Sequence, residues 1–203
     1  MSSAEQPGFV SVEDYLTAEA QALTKSEYID GWVRAMTGAT NRHNRVTMNC
    51  LLHLGEALKG QRCRPCHSDT KVRIRAQGTR RFYYPDVQVV CLENSPTEVF
   101  QDSPVLIIEV LSPATRRYDL DEKLAAYLTI PSLQCHVVLE QHQPQAIVFR
   151  RAADGFLRTA HDGIDATIAL PFLGCALPLR AVYEGIEFTP TCVQEEEPAY
   201  ELD

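Results

Sequence analysis

Two carboxylates next to apolar residues are the groups in this sequence best suited to chemistry. Glu109 interrupts an apolar run, with residues 105–108 before it and 110–111 after it. Such a run predicts a strand that is buried on both faces. A carboxylate left uncompensated there is costly, so Glu109 must be paired, protonated or bound to a metal ion. Pairing with an arginine for purely structural reasons is the alternative.

Asp86 is the second carboxylate, and it lies between Pro85 and a valine-rich run. If adjacent central strands carry Asp86 and Glu109, both side chains can reach one ion. Oxygen ligands suit a hard cation, Mg²⁺ or Mn²⁺, which keeps several of its waters. The alternative for Asp86 is a turn residue where a strand begins.

Lys123 lies in the predicted helix that follows the Glu109 strand. Asp119 and Tyr127 are four residues away on either side, so they share its helix face. If this helix packs back over the sheet, the ammonium group can orient a water or stabilise a pentavalent phosphate. An exposed, salt-bridged lysine is the alternative. Two carboxylates and a nearby lysine together fit metal-assisted hydrolysis of a phosphodiester.

A basic segment stands out in a chain whose net charge is −8. Five acids in the last twelve residues supply much of the negative charge. Residues 59–81 contain one acid and eight bases, which are Lys59, Arg62, Arg64, Lys71, Arg73, Arg75, Arg80 and Arg81. In the predicted strand 70–76, Lys71, Arg73 and Arg75 alternate with apolar residues and are candidates to bind a nucleic-acid backbone without reading its sequence. A solvated pair of strands is the alternative.

Hydrophobic periodicity and turn signals predict a single α/β (α+β) domain over residues 11–190, with a mixed central sheet flanked by helices. Residues 1–10 are predicted to be a flexible N-terminus, and residues 191–203 an acidic C-terminal tail. Helices are predicted over 11–22, 41–58 and 114–130. Strands are predicted around an Asp30-Gly31 hairpin turn and over 70–76, 82–91, 103–112, 133–140 and 145–151, with weaker strands over 155–188.

Several classes of protein are disfavoured by the same sequence. It has no membrane-length apolar run and no secretory signal, so we expect a cytoplasmic protein that does not bind membranes. Seven scattered cysteines argue against a disulfide framework and are expected to pack mostly as small hydrophobes. Cys63 and Cys66 form one CxxC pair without a second, so a redox or zinc site is disfavoured. Serine-hydrolase and phosphate-loop motifs are absent.

Longer motifs carry a family resemblance. The chain resembles the Uma-type putative restriction endonuclease family, of the PD-(D/E)XK nuclease superfamily, from about Val12 to about Phe188. The motifs are EYIDG (27–31), AMTGAT with NRHNRV (35–46), YYPDVQVVC (83–91), SPVLIIEVLSPAT (103–115), DEKLAAY (121–127), IPSLQ (130–134) and VYEGIEF (182–188). The resemblance implies a restriction endonuclease-like fold, with Asp86 as the motif aspartate and Glu109 as the motif (D/E).

The resemblance also implies roles for residues outside that motif. Leu111 stands where the motif lysine usually lies, and Lys123 matches a lysine that has migrated to the following helix. Glu27 matches an acidic residue that helps to hold metal, and His43 matches a histidine that lines the site. Trp32 stands where the family often has a carboxylate.

These features predict a DNA endonuclease that uses Mg²⁺ or Mn²⁺, bound by Asp86 and Glu109 with help from Glu27. Lys123 is predicted to position the attacking water or the scissile phosphate. A homodimer is expected, because nucleases of this fold often dimerise to cut both strands. The alternative is a catalytically silent module that binds nucleic acid or regulates a partner on the same scaffold.

Overall fold

The computed structural model describes residues 9–76, 78–113 and 115–188. The predicted N-terminal segment 1–10, apart from Phe9 and Val10, and the predicted tail 191–203 lie outside the described residues. The helices are α1 (Val12–Glu19), α2 (Asn41–Ala57), α3 (Arg116–Tyr118), α4 (Leu124–Tyr127) and α5 (Leu179–Val182). A π-helical turn, Asp119–Lys123, joins α3 to α4, and a 3₁₀ turn spans Pro171–Leu173.

The strands of the described residues form three sheets. They are β1 (Ser26–Ile29), β2 (Trp32–Ala35), β3 (Arg64–His67), β4 (Lys71–Ala76), β5 (Thr79–Tyr83), β6 (Val87–Val90), β7 (Phe100–Gln101), β8 (Pro104–Leu111), β9 (Cys135–Glu140), β10 (Gln145–Ala152), β11 (Gly155–Asp162), β12 (Thr167–Leu170) and β13 (Cys175–Pro178). The central sheet has the order β11-β10-β9-β8-β6-β3, and the hairpin sheet has the order β2-β1-β5-β4-β7. β12 and β13 form a third, two-stranded sheet.

β8 lies in the interior of the central sheet, as its apolar sequence predicts. It pairs with β9 in parallel and with β6 in antiparallel fashion. Seven of its eight residues are buried. On one side of this sheet, α2 packs through Val46, Cys50 and Leu54 into the largest apolar cluster of the described residues. The sheet and α2 therefore give the Glu109 strand a rigid setting.

Local sequence explains where the first elements begin and turn. The Ser11 hydroxyl accepts a hydrogen bond from Asp14 N at the start of α1, as an N-cap does. In the β1–β2 turn, Asp30 and Gly31 have φ of 49° and 100°. A two-residue hairpin turn of this kind needs positive φ at both positions, which Asp-Gly tolerates. The predicted hairpin is confirmed.

The predicted strand 82–91 is wrong as a single element. Its first two residues belong to β5 in the hairpin sheet, and residues 87–90 form β6 in the central sheet. The chain changes sheets at Tyr84, Pro85 and Asp86, where proline lacks the N–H that a continuous ladder needs. This crossing leaves Asp86 at the junction between the two sheets.

The predicted helix 114–130 is also not a continuous α-helix. The Leu124 N–H donates to the carbonyl of Asp119, five residues earlier, so one extra residue is accommodated in the middle turn. Periodicity cannot distinguish this insertion from a regular helix, because a single turn shifts the apolar face only slightly.

The expectation that the cysteines pack mostly as small hydrophobes, without a disulfide framework, needs correction for one pair. Cys63 and Cys91 form a disulfide with a sequence separation of 28. They flank the antiparallel pair of β3 and β6, where Arg64 lies opposite Val90. The short strand β3 was missed from the sequence, and without it the two cysteines cannot be recognised as neighbours. Cys66 is not part of this bond.

Candidate active site

Asp86 and Glu109 come together because their strands are neighbours. Val87 pairs with Ile108 in the β6–β8 register, which brings Asp86 beside Glu109. The Asp86 N–H donates to Glu109 Oε2 at 3.3 Å, and the Val110 N–H donates to Asp86 Oδ2 at 2.7 Å. The backbone of each strand therefore fixes the carboxylate carried by the other.

Lys123 reaches the same place from the π-helical turn. Its Nζ lies 3.1 Å from Glu109 Oε1, 2.9 Å from Glu27 Oε1 and 3.7 Å from Asp119 Oδ1. The side chains of all four residues are at most 6% exposed. The ammonium is therefore buried among three carboxylates that come from two sheets and one helix.

Tyr127 fixes the orientation of Glu109. Its hydroxyl donates to Glu109 Oε1 at 2.7 Å, so this oxygen receives hydrogen bonds from both Tyr127 and Lys123. The other oxygen, Oε2, is turned toward Asp86. Both oxygens of Glu109 therefore accept hydrogen bonds from the protein: Oε1 from Lys123 and Tyr127, and Oε2 from the backbone N–H of Asp86.

The cluster around Lys123 contains more carboxylates than ammonium groups. Burial raises the pKa of Glu109 well above its usual value, Lys123 opposes this, and the charges of Asp86 and Asp119 add to it. Burial also raises the pKa of Asp119. Burial works against the Lys123 ammonium, but Glu109, Glu27 and Asp119 outweigh it and hold its pKa well above the usual value. Burial and the repulsion between neighbouring carboxylates therefore make the charged forms of Glu109 and Asp119 costly.

His43 approaches Asp86 from the first turn of α2. The N-cap residue Thr40 accepts a hydrogen bond from the His43 N–H at 3.2 Å. His43 Nε2 lies 3.2 Å from Asp86 Oδ2. Burial disfavours the imidazolium form, but the hydrogen bond to Asp86 and its charge outweigh burial and raise the pKa of His43.

These groups line one open cleft. Its volume is about 580 Å³, and its walls come from the loop before α2, the first turns of α2, the sheet junction and the π-helical turn. Asp86, Glu109, His43, Asp119 and Lys123 all line it. Among the residues that the structure describes, no three His, Cys, Asp or Glu side chains are arranged to hold a metal ion by themselves.

Comparison with known proteins identifies the family of this chain. The model of the Uma2 family, described as "putative restriction endonuclease", matches residues 12–180. The chain belongs to the Uma2 family. Two relatives from Synechocystis, the uncharacterized proteins slr1290 and sll1609, are 28% identical over 88% of this chain and 94% of theirs, and 31% identical over 81% of this chain and 94% of theirs.

A solved structure shares the fold. It is the crystal structure of a "putative nuclease belonging to DUF820" from Anabaena variabilis, with a TM-score of 0.67 and 18% identity. The match covers 85% of this chain and 97% of that one. The predicted restriction endonuclease-like fold, a mixed α+β arrangement flanked by helices, is confirmed. Within the described residues, no helix combines the length and apolar character needed to cross a membrane.

The structure brings together some of the residues that the sequence singled out. Glu27, Asp86, Glu109, Lys123 and His43 all belong to one site, although the sequence alone left a structural alternative open for most of them. Glu109 contacts lysine and tyrosine rather than the arginine of that alternative. Lys123 is buried rather than exposed.

The predicted backbone-binding residues lie elsewhere. Arg73 forms two hydrogen bonds to Asp102, and Lys71 is buried with its ammonium 4.8 Å from the centre of the Tyr84 ring. Arg75 is exposed. Because Arg73 pairs with Phe82, and Phe82 with Tyr28, Arg73 and Arg75 lie on the face of the hairpin sheet opposite Glu27.

Two residues of the site were not named as site residues from the sequence. Asp119 and Tyr127 each lie one turn from Lys123, and this spacing was the available signal. Spacing alone places them on the same helix face without showing that this face is buried against Glu109. The family motifs point to the lysine and not to its two neighbours.

Proposed function

We propose that this protein is a metal-dependent endonuclease that hydrolyses phosphodiester bonds in DNA. The observation that carries the proposal is the convergence of Asp86, Glu109 and Lys123 in one open cleft of a Uma2-family protein. Metal-assisted hydrolysis needs acidic ligands for the metal ion, a group that stabilises the negative charge on the phosphoryl oxygens, and a site that a polymer can reach. All three requirements are met by these side chains and by the open cleft.

Asp86 and Glu109 are the proposed ligands of Mg²⁺ or Mn²⁺. Mg²⁺ is usually held by one or two carboxylates, with waters and substrate phosphate filling the other positions. Glu109 Oε2 and the Asp86 carboxylate fit this donor set, since Glu109 Oε1 is already engaged by Lys123 and Tyr127. When bound, the ion supplies Lewis-acid polarisation of the phosphate and activation of water. Glu27 is proposed to support the ion through Lys123, which it contacts directly.

Lys123 is proposed to act as a fixed positive charge. Its raised pKa keeps it an ammonium at neutral pH, so it serves as a hydrogen-bond donor rather than a proton acceptor. It can donate to the attacking water or to a phosphate oxygen as negative charge develops. Asp119 and Glu27 hold it in place, and His43 is proposed to line the path of the substrate.

A silent module on the same scaffold is the competing function. One observation favours it: Trp32 stands where the family often has a carboxylate, so one acidic group is replaced by an aromatic one. Such a protein would bind nucleic acid or a partner through the cleft without cleaving it. The cleavage experiment below separates the two functions.

The proposal extends to assembly and location. We expect a homodimer, because two copies of the chain present two centres to the two strands of a duplex. We also expect a cytoplasmic location. Sedimentation velocity on the purified protein tests the dimer directly. A single species at the monomer mass would contradict it, whereas the cleavage chemistry proposed above needs one chain only.

The decisive experiment is cleavage of supercoiled plasmid by the wild type with Mg²⁺ or Mn²⁺, beside Glu109→Ala and the control Glu98→Ala. Glu98 is an exposed surface glutamate. Wild type and control should cleave, Glu109→Ala should not, and EDTA should stop cleavage. Circular dichroism should show that Glu109→Ala is folded.

Other outcomes would change the proposal. Equal cleavage by Glu109→Ala would remove this carboxylate from the centre or reveal a contaminating nuclease. DNA binding without cleavage under any of these conditions would favour the silent module. Asp86→Ala should behave as Glu109→Ala does, and full activity in that variant would remove Asp86 from the site.

A further inference from the structure

Trp32 is the only tryptophan of the sequence, and it is exposed. It lies in β2, at the edge of the hairpin sheet, with 56% of its surface accessible to solvent. All four residues of β2 are exposed. Tryptophan is enriched at binding surfaces, because its large apolar ring gains by being covered while its N–H can still find a partner. The exposed Trp32 ring is therefore a candidate to contact a ligand.

Strand register places Trp32 on the catalytic side of the hairpin sheet. Glu27 lies opposite Arg34 in the β1–β2 pair, so their side chains share a face. Trp32 is two residues before Arg34 and has the same orientation. Because Glu27 contacts Lys123, this shared face is the one that looks toward the centre.

Contacts connect this face to Lys123. The Arg34 guanidinium carbon lies 3.8 Å from the centre of the Tyr118 ring, and Lys123 Nζ lies 5.8 Å from the same ring. Trp32, Arg34 and Tyr118, which we name the hairpin strip, thus lead from the buried ammonium to solvent. The chain continues from β2 into residues 36–40, which line the cleft itself.

The chemistry of the hairpin strip fits nucleobases. Aromatic rings and the planar guanidinium stack on bases, and a base offers its face only when it is unpaired or flipped out. The Glu27 carboxylate opposite Arg34 is already paired with Lys123, and Arg34 remains exposed. Its positive charge is therefore available to a phosphate, in a chain that is negative as a whole.

We infer that the hairpin strip binds unpaired nucleotides beside the phosphate to be cleaved, so that the substrate is single-stranded or locally melted DNA. This inference rests on the proposed function and specifies its substrate class. Trp32 stacks on a base, Arg34 contacts the adjoining backbone or stacks beside it, and Tyr118 holds the guanidinium in place. A fully paired duplex can offer this surface only its ends.

The single tryptophan makes the test direct. Intrinsic fluorescence is titrated with a short single-stranded oligodeoxynucleotide and with the blunt duplex of the same sequence, with Ca²⁺ replacing Mg²⁺ and the DNA checked for integrity afterwards. Stacking on Trp32 should quench the emission in a saturable way. The single strand should bind more tightly than the duplex.

Variants assign the effect to the ring, with binding measured by fluorescence anisotropy of labelled DNA. Trp32→Ala should weaken single-strand binding roughly 5- to 150-fold, the range for removing one stacked base. Trp32→Phe should restore most of the affinity, because phenylalanine keeps an aromatic face. Leu157→Ala is the control, since Leu157 is 66% exposed on β11, the edge strand of the central sheet. This variant should bind DNA as the wild type does.

Three results would overturn the inference. They are unchanged single-strand affinity in Trp32→Ala, equal or tighter binding of the duplex with the same quenching, and dissociation of a dimer by Trp32→Ala without change in DNA affinity. The last would assign the surface to a second copy of the chain. Plasmid cleavage on the same preparations keeps the tests separate, because cleavage that depends on Glu109 would leave the proposed function standing when the hairpin strip fails.

Discussion

The two faces of the hairpin sheet bury different kinds of side chain. One face carries Glu27 toward Lys123 in the cleft. The opposite face carries Tyr28 and Phe82, which pack with α1 and β7 in a cluster of aromatic rings. The aromatic face gains stability from burial, whereas the ionic face gathers like charges that burial disfavours. The same strands thus carry a stabilising surface on one side and a costly ionic one on the other.

The aromatic face shows what packing contributes. Phe82 is 1% exposed, and its ring centre lies 5.7 Å from that of Tyr15, 6.1 Å from that of Tyr28 and 5.6 Å from that of Phe100. Two of these pairs are edge-to-face, a favourable arrangement for aromatic quadrupoles. None of the four residues lines the cleft. We therefore expect this face to determine stability and not chemistry.

The largest effect should follow from Phe82→Ala. Deleting this buried ring should lower the free energy of unfolding by about 3–5 kcal/mol, because it leaves a cavity in the cluster. Urea denaturation followed by circular dichroism measures the loss. The cleavage rate per folded molecule should stay within about fivefold of wild type, since ~1 kcal/mol is the most that an indirect shift should cost. A decrease of only a few tenths of a kcal/mol in the free energy of unfolding would contradict the assignment of stability to the aromatic face.

Removing a charge from the ionic face should stabilise the protein, whereas removing a ring from the aromatic face should destabilise it. Because burial raises the pKa of Glu109, the folded protein holds this proton more tightly than the unfolded chain, whose carboxyl titrates near 4.5. Without metal, stability is therefore greatest below that pH and falls as the pH rises toward the folded pKa. Glu109→Gln should remove this loss, so it should raise the Tm of the metal-free protein at pH 7.

The measurement is calorimetry at several pH values, with EDTA and with Mg²⁺. Mg²⁺ should raise the Tm of the wild type and leave that of Glu109→Gln nearly unchanged, since binding to the folded state stabilises it. A lower Tm for Glu109→Gln in EDTA would mean that its ion pair with Lys123 outweighs burial. The cluster would then be a stabilising feature, and the contrast between the two faces would fail.

The sequence predicted which acidic residues come together better than it predicted the elements around them, for a physical reason. Glu109 was identified because a carboxylate inside an apolar strand conflicts with burial, and such a conflict is visible residue by residue. The position of Lys123 depends on a π-helical turn and on how a helix packs, neither of which periodicity reveals. The family motif pointed to it instead.

Pairing between distant strands was the least predictable part. The sheet change at Tyr84–Asp86 divides one apolar pattern between two sheets. It could not be predicted, because the alternation of apolar residues does not show which strand pairs with which. The Cys63–Cys91 disulfide was missed for the same reason, since it depends on the short strand β3. The side of the sheet that Arg73 and Arg75 occupy also depends on register, which alternation alone does not fix relative to Glu27.

The smallest effect concerns the arginines beside the aromatic face. Arg75 and Arg80 lie directly opposite each other in the β4–β5 pair and, with Arg73, line a groove of about 460 Å³. Like charges opposite each other repel, so an anion between them is favoured. We still predict that Arg75 binds a backbone phosphate, at a distance from the centre. Arg75→Ala should weaken DNA binding uniformly across sequences and reduce the slope of log affinity against log salt by about 0.7–0.9.

The control for this contact is Arg158→Ala, because Arg158 is an exposed arginine on β11 and lies outside this groove. Both variants remove one positive charge, so a general effect of net charge should appear equally in the two. If the salt slope changes equally, the groove is a solvated surface and DNA contacts only the catalytic side of the sheet. If only Arg75→Ala changes it, DNA reaches both faces, and the stabilising face also contributes to binding.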